Sequence, residues 1–282
     1  MPGTLFVVAT PIGNLEDITG RALRVLREAS IIAAEDTRRT AHLLARYAIT
    51  TPSTSLHEHN EAQKCASLVG RLERGDNIAL VSDAGTPTIS DPGTRLIKAA
   101  IDAGIRIEPI PGPNAAIAAL AVSGLPSESF TFLGFPPVRS KARSDWFERA
   151  RTVGGTIVFY ESPHRIRETL SQLRNEVGDC QIVLCRELTK AHEELVRGQI
   201  SAVLGKISAL VGEFTIVVDI GRTTNKALSV APGAGEILVE FGELTYSVGM
   251  TRRAAIATLA KRHGLGANAI YELIERGKKS GE

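Results

Sequence analysis

Cysteine is scarce in this chain of 282 residues, which contains only three, and their spacing suits neither a metal site nor a disulfide framework. Cys65, Cys180 and Cys185 form an odd set without a CxxC pair, which argues against structural zinc and against a disulfide-stapled fold. Cys180 and Cys185 flank the apolar run QIVL, so we expect buried, reduced thiols. No metal site is expected.

Long apolar runs are also missing, since none approaches the roughly 20 residues that span a bilayer. The opening segment MPGTLFVVATPIGN has no basic stretch ahead of Leu5–Ala9, so it predicts a buried strand and not a signal peptide. The hydrophobic fraction of 43% is enough for a globular core. We therefore expect a cytoplasmic protein with no membrane partner.

Three common nucleotide and hydrolase motifs are absent. No GxGxxG follows the first apolar run, and neither GxxxxGK[ST] nor GxSxG occurs. These absences leave a Rossmann dinucleotide site, a P-loop and a nucleophile elbow unsupported.

Positive charge is concentrated at one end of the chain. The net charge is +2, yet residues 251–282 hold seven Lys or Arg and three Glu, so this tail carries +4 and the rest carries −2. A basic end on a slightly acidic body suggests a polyanionic partner, although a solvated tail would look the same.

Short apolar runs alternate with helical patterns in two series. The runs lack polar alternation, which is typical of strands covered on both faces, and the alternation predicts α/β architecture. We expect an α/β domain with a mostly parallel sheet over 1–126 and a second α/β domain with a mixed sheet over 127–224. In the second series the pattern predicts helices over Asp145–Arg151, His164–Val177 and Glu194–Ala209.

The last segment, 225–282, is predicted to be a small helical module behind the connector Thr223–Gly235. Thr251–His263 and Ala267–Arg276 have helical periodicity around Gly264, which resembles a helix-turn-helix. Its excess positive charge suits docking on a polyanionic partner; the alternative is a helical hairpin that packs on the body or on a dimer mate. The basic stretch Val138–Arg151 also suits phosphate contact, with Trp146 available for stacking or for the core.

Three loops rich in Gly, Pro and small polar residues follow predicted strands. They are TPIGN at 10–14, SDAGTPTISDPG at 82–93 and PGPNAA at 111–116. Ligands bind beyond the carboxyl ends of strands in open α/β sheets, and glycine allows close backbone approach. The three loops together predict a ligand site, whereas one alone could be a tight turn.

Seven motifs in order carry a family resemblance: ATPIGNLEDIT, AAEDTRRT, LVSDAGTPTISDPG, PIPGPNAA, FLGFPP, FYESPHRI and CRELTKAHEE. Together they closely resemble the tetrapyrrole methylase superfamily. The spelling Ser82-Asp83-Ala84 replaces the GDP-type motif of the tetrapyrrole-modifying members. It favours the branch that methylates the cytidine 2′-hydroxyl in small-subunit ribosomal RNA.

The resemblance implies that S-adenosylmethionine binds in the cleft between two α/β domains. Carried over residue by residue, the cofactor site comprises Ile12, Gly13, Asp83, Gly85, Thr86, Ile89, Asn114, Ala115, Tyr160, Leu188 and Thr215. For Leu188 and Thr215 plain core packing is the alternative.

A proton acceptor would help a ribose hydroxyl to attack the methyl group, but the sequence does not select one. The candidates are Glu35, Asp36, His57, His59, Glu161 and His164. Asp36 could instead cap a helix. Basic residues that could hold substrate phosphates are Arg38, Arg39, Arg165, Arg252 and Arg253, with ion pairing as the alternative.

The resemblance implies that the partner is small-subunit ribosomal RNA or the 30S subunit and that 225–282 is an RNA-docking module. It also implies a homodimer. Two alternatives stay open: a small-molecule methyltransferase of the tetrapyrrole type, and a non-catalytic nucleic-acid-binding protein on a methylase scaffold. The first would act without RNA, and the second would bind no cofactor.

Overall fold

A computed structural model describes residues 1–207, 211–221, 234–247, 249–263 and 265–279. The chain divides into two compact units, residues 1–221 and residues 222–282. Of the connector Thr223–Gly235, only residues 234 and 235 are among the described residues. Gly264 lies outside them. The domain boundaries at 126 and 224 stay predictions.

The first sheet of unit 1 has five parallel strands in the order β3-β2-β4-β1-β5. Its strands are β1 Thr4–Val8, β2 Ile31–Ala34, β3 Ser53–Ser55, β4 Ile78–Val81 and β5 Arg106–Ile110. Its helices are α1 Gly20–Glu28, α2 Thr37–Arg46, α3 Glu61–Glu73, α4 Thr94–Asp102 and α5 Ala115–Ser123.

Both faces of this sheet are covered, which explains why its strands are apolar without alternation. Val8 and Ile32 pack on one face in a cluster with Leu26 of α1. Leu5 and Leu80 pack on the other face with residues of α3 and α4. Parallel strands bring the loops that follow them to one edge, where a ligand site is expected.

The second sheet is mixed, with the order β6-β7-β10-β8-β9. Its strands are β6 Phe130–Phe132, β7 Thr156–Glu161, β8 Gln181–Arg186, β9 Glu194–Gln199 and β10 Phe214–Asp219. Its helices are α6 Ser140–Val153, α7 Ile166–Val177 and α8 Ile200–Lys206. Strands β6 and β7 are parallel and the other pairs are antiparallel. The predicted fold class is confirmed.

Helix α5 packs against one face of the second sheet, where its Ala119 and Leu120 meet Val158 and Val217. The other face of the sheet is covered by α6, α7 and α8, and here Trp146 lies in the core. The Trp146 indole Nε1–H donates to the Leu133 carbonyl oxygen (N···O 3.0 Å). The core alternative for Trp146 is therefore the one observed.

The helix predicted over Glu194–Ala209 is wrong in its first half. Glu194–Gln199 is strand β9, which pairs antiparallel with β8 in register Arg186↔Glu194, and helix α8 begins only at Ile200. Gly198 has φ of +148°, and glycine disfavours a helix interior by about 1 kcal/mol. Pairing with β8 and the ion pair between Arg186 Nε and Glu194 Oε2 (2.9 Å) outweigh the helical periodicity.

The described part of unit 2 contains helices α9 Ala234–Gly242, α10 Arg252–His263 and α11 Ala267–Lys279, of which the sequence pattern predicts the last two. Ile237 of α9, Leu259 of α10 and Ile270 of α11 share one buried cluster. Unit 2 therefore has its own apolar core. Within the described ranges, no helix is both long and apolar enough to cross a membrane.

Candidate functional site

A cavity of about 400 Å³ opens in unit 1 where the loops after β2, β4 and β5 face the second sheet. The second sheet contributes residues of β7, of the loop after β8 and of the start of β10. The volume falls in the range of about 300–1,000 Å³ that small-molecule sites occupy. The carboxyl edge of a parallel sheet is where such sites form in open α/β folds.

Ten of the eleven residues predicted to bind the cofactor line this cavity. They are Ile12, Asp83, Gly85, Thr86, Ile89, Asn114, Ala115, Tyr160, Leu188 and Thr215. Residues from both sheets therefore converge on one space. Asn114 has a second task, because its side chain accepts the N–H of Ile117 at the start of α5 (3.2 Å).

Gly13, the eleventh, lines a neighbouring cavity of about 210 Å³ that shares Ile12 and Asp83 with the first. A Cβ atom on Gly13 would lie 2.8 Å from the Leu188 carbonyl oxygen and 2.7 Å from Thr189 Oγ1. The next residue, Asn14, donates its N–H to Thr189 Oγ1 (3.0 Å). Gly13 therefore lets the first loop approach the loop after β8.

Strained backbone flanks two apolar side chains of the cavity wall. Ile89 lies between two residues with positive φ, and Leu188 does as well, although none of the four is glycine. Their φ angles are +73° at Thr88, +68° at Ser90, +51° at Glu187 and +65° at Thr189. Such conformations cost of order 1–3 kcal/mol each and cluster at binding sites.

An aromatic cluster forms the side of the cavity nearest the second sheet. The Tyr160 ring contacts Phe132 and Phe135, with centroid separations of 4.9 and 5.4 Å. The Tyr160 hydroxyl oxygen accepts the Ala116 N–H of α5 (3.2 Å), and burial raises the pKa of Tyr160. Phe135 lines the cavity but is 50% exposed, so its ring faces both the cavity and solvent. Phe135 belongs to the motif FLGFPP, but it is not among the site residues predicted from the sequence.

Asp83 ties two strand-end loops together. Its Oδ1 accepts the Asp36 N–H (2.9 Å), and its own N–H donates to Glu35 Oε2 (3.2 Å). Arg39 Nε lies 3.5 Å from Asp83 Oδ2. These bonds fix the Asp83 carboxylate at the cavity wall through the loop after β2.

Carboxylates dominate the charge of the cavity around Asp83. Burial raises the pKa of Glu35, and the hydrogen bond from Asp83 N–H offsets part of that effect. Burial, helped by the negative charges of Glu35 and Asp83, raises the pKa of Asp91 to about 7. Such a wall attracts a cation. Asp91 was missed as a site residue, although it stands in the DAGTPTISDPG motif.

The other catalytic candidates have structural partners or lie away from the cavity. Asp36 caps α2 by accepting the Arg38 N–H (2.9 Å), and bonding to Arg38 lowers the pKa of this carboxyl. Glu161 lines the cavity, but it is 1% exposed and accepts bonds from three groups. The donors are Arg165, Thr169 Oγ1–H and the Ser162 N–H. Outside the lining of both cavities lie His57, His59 and His164.

Of the arginines predicted to hold substrate phosphates, one lines the cavities and the others are ion-paired or exposed. Arg39 lines both cavities, whereas the Arg38 side chain is 88% exposed and pairs with Asp36. Arg165 Nη2 lies 2.7 Å from Glu161 Oε1, and its Nη1–H donates to the Pro136 carbonyl oxygen (3.0 Å). In unit 2, Arg252 Nη2 lies 2.6 Å from Glu275 Oε1, and Arg253 is exposed.

A metal centre has no counterpart in the described residues, where no three His, Cys, Asp or Glu side chains are grouped to hold an ion. The cavity therefore offers carboxylates, backbone amides and apolar walls as its binding groups. A small cationic molecule with an apolar part matches these groups.

Comparisons with known proteins relate this chain to one family of methyltransferases. The family model described as tetrapyrrole (corrin/porphyrin) methylases matches residues 4–204. The chain is 42% identical over 277 residues to ribosomal RNA small subunit methyltransferase I of Haemophilus influenzae, covering 96% of each chain. The same-named protein of Halalkalibacterium halodurans is 52% identical over 198 residues, 70% of this chain and 68% of that one.

Among solved structures, uroporphyrin-III C-methyltransferase from Thermus thermophilus in complex with S-adenosyl homocysteine shares the fold. Its TM-score is 0.57 at 16% identity, over 77% of this chain and 98% of that one. The family resemblance of the seven motifs is confirmed. The chain belongs to the tetrapyrrole (corrin/porphyrin) methylase family of S-adenosylmethionine-dependent methyltransferases, and within it to the family of ribosomal RNA small subunit methyltransferase I.

Proposed function

We propose that this chain transfers the methyl group of S-adenosylmethionine to the 2′-hydroxyl of a cytidine in small-subunit ribosomal RNA. The observation that carries the proposal is the convergence of three motif loops and the second sheet on one cavity. The names of relatives with 42% and 52% identity support the RNA substrate. The cytoplasm is the expected location.

The groups around the cavity fit the cofactor. Bound S-adenosylmethionine supplies a methyl group on a positively charged, electrophilic sulfonium, so alignment with the hydroxyl supplies much of the rate. Glu35 and Asp83 would offer negative charge to its positively charged groups, and Ile12, Ile89 and Leu188 would offer apolar contact to its uncharged part. The proposed binding residues are Ile12, Gly13, Asp83, Gly85, Thr86, Ile89, Asn114, Ala115, Tyr160, Leu188 and Thr215.

The RNA would approach the open side of the cavity. Phe135, half-exposed over Tyr160, offers a face on which an unstacked base can lie. Arg39 is the cation of the cavity wall best placed for a phosphate, with Arg38 beside it. Arg252 and Arg253 would hold RNA from the helical module 225–282, and Arg165 stays a weaker candidate. We also propose the domains 1–126 and 127–224 and a homodimer.

The decisive experiment supplies labelled S-adenosylmethionine and small subunits that lack the modification, then maps the methyl group by mass spectrometry. We expect label on one cytidine ribose and RNA binding that weakens steeply with salt, because phosphate contacts release counterions. Label in a small molecule without RNA would indicate the tetrapyrrole-type alternative. Absence of cofactor binding by calorimetry would indicate the non-catalytic alternative.

Asp83→Ala provides the test of the site, since it removes the carboxylate that accepts the Asp36 N–H. We expect weaker S-adenosylmethionine binding, with Asp102→Asn at the exposed end of α4 as the control. Unchanged cofactor affinity in Asp83→Ala would remove Asp83 from the binding residues.

A further inference from the structure

Asp91 is held in a fixed position at the end of the strained loop that follows β4. Ser90, directly before it, has φ of +68°. Two residues later, Gly93 has φ of +120°, and a Cβ atom there would lie 2.7 Å from Leu80 Cδ2. A side chain at position 93 would therefore clash with β4, and the start of α4 lies close to that strand. The backbone on both sides of Asp91 is constrained as a result.

Five carboxylates line the cavity, and four of them are engaged by other groups. Glu161 is bonded to Arg165, Thr169 and Ser162. Asp83 accepts the Asp36 N–H and faces Arg39, while Glu35 accepts the Asp83 N–H. Glu213 pairs with Lys190, with 3.1 Å between Lys190 Nζ and Glu213 Oε2.

Asp91 differs from these four carboxylates in its partners. In the described part of the chain no cationic side chain lies within ion-pairing distance of Asp91, and the Ser82 side chain, whose hydroxyl donates to the Ala84 carbonyl oxygen (3.4 Å), lies beside it. It is half-buried and lines the same cavity as the proposed cofactor residues. A carboxylate without a cation beside it is free to take up a proton.

We propose that the Asp91 carboxylate is the catalytic base that accepts the proton of the ribose 2′-hydroxyl. This rests on the proposed function. In the step, the O–H bond breaks and its proton moves to Asp91, while an oxygen lone pair forms the new O–CH3 bond. The S–CH3 bond breaks and its electron pair stays on sulfur. Asp91 then releases the proton to solvent.

The groups that face Asp91 explain why it suits this role. Glu35 after β2 and Asp83 after β4 are negative, Tyr160 of β7 is neutral at physiological pH, and the Ser82 hydroxyl is uncharged. Burial and the two negative charges raise the pKa of Asp91 to about 7. A base whose pKa lies near the working pH transfers protons efficiently.

The test compares wild type, Asp91→Asn, Asp91→Glu and the control Asp102→Asn, at the exposed end of α4, in single-turnover methylation across pH 5–9. We expect Asp91→Asn to lower the rate by about 10²–10⁴-fold, the usual contribution of a general base, and to remove the acid limb of the pH profile. Asp91→Glu should keep that limb at a reduced rate. Calorimetry should give S-adenosylmethionine affinities within about threefold of wild type.

A second readout does not depend on activity or on the cofactor. In protein labelled with ¹³C at the aspartate carboxyl carbon, we expect one resonance that titrates near pH 7 and is missing from Asp91→Asn. An unaltered rate and pH profile in Asp91→Asn would overturn the proposal. So would a loss confined to cofactor affinity, which would make Asp91 a partner of the sulfonium. A wild-type protein that methylates no ribose would instead refute the proposed function.

Discussion

The Tyr160 hydroxyl oxygen accepts the backbone N–H of Ala116 at 3.2 Å, which joins β7 of the second sheet to the first turn of α5. Because α5 begins directly after the loop PGPN, this bond fixes the third motif loop relative to the aromatic cluster. Tyr160 therefore acts both as cavity wall and as the acceptor for a helix-terminal N–H that lacks an intrahelical partner.

Tyr160→Phe should lower stability, because the Ala116 N–H loses its acceptor while the ring is retained. The expected loss is about 1–2 kcal/mol in the free energy of unfolding, measured by urea denaturation. Tyr246→Phe, at a position 90% exposed in unit 2, is the matched control and should change little. Equal stability of the two variants would mean that the bond contributes nothing.

Gly13→Ala should weaken cofactor binding more than it weakens the fold. The added Cβ would meet the Leu188 carbonyl oxygen at 2.8 Å and force the first loop away from the loop after β8. We expect at least tenfold lower S-adenosylmethionine affinity by calorimetry. Gly20→Ala, where a Cβ meets no atom within 4 Å, serves as control. Unchanged affinity in Gly13→Ala would show that the loops can separate without cost to the site.

Much of the fold could be predicted because its strands are apolar runs between well-marked turns. Helix α7, predicted over His164–Val177, is observed over Ile166–Val177. Strand β3, with the polar sequence Ser-Thr-Ser, gives no such signal and is defined by its parallel pairing with β2. Strand β9 could not be predicted for a similar reason. It is defined by its pairing with β8, and the local sequence of Glu194–Gln199 does not reveal that pairing.

The site could be predicted where a motif contains it: nine of the predicted cofactor residues stand in the seven motifs and line one cavity. Thr215 lines the same cavity but lies outside the motifs. Asp91 and Phe135 lie in the same motifs, but their importance depends on neighbours distant in sequence. The raised pKa of Asp91 requires burial and the approach of Glu35, 56 positions earlier in the chain. In contrast, Arg165 looks like a phosphate ligand in sequence, yet in the fold it pairs with buried Glu161.

Arg165→Ala should act mainly on stability. Removing the guanidinium leaves the fully buried Glu161 side chain without its cation, which typically costs about 3–5 kcal/mol. Arg38→Ala removes a cation that is 88% exposed and should cost less than about 1 kcal/mol. Urea denaturation compares the two variants. If Arg165→Ala were as stable as wild type and bound RNA more weakly, Arg165 would be a substrate ligand after all.

Asp91→Asn should stabilise the protein at neutral pH and not at acid pH. The folded protein holds the Asp91 proton up to about pH 7, whereas an unfolded aspartate releases it near pH 3.9. Between these values the native state binds more protons, so the wild-type free energy of unfolding falls as pH rises through this window.

The amide in Asp91→Asn carries no charge that burial would penalise. The free energy of unfolding of this variant therefore does not fall with pH in the way that of the wild type does. After allowance for solvent screening at a half-exposed group, we expect a gain on the order of 1–2 kcal/mol above pH 7. Urea denaturation from pH 4 to pH 8 should show the variant's advantage growing with pH and levelling off near pH 7. Asp102→Asn, at the exposed end of α4, should run parallel to wild type throughout. An advantage for Asp91→Asn that is constant across this range would mean that the carboxyl titrates as it does in the unfolded chain.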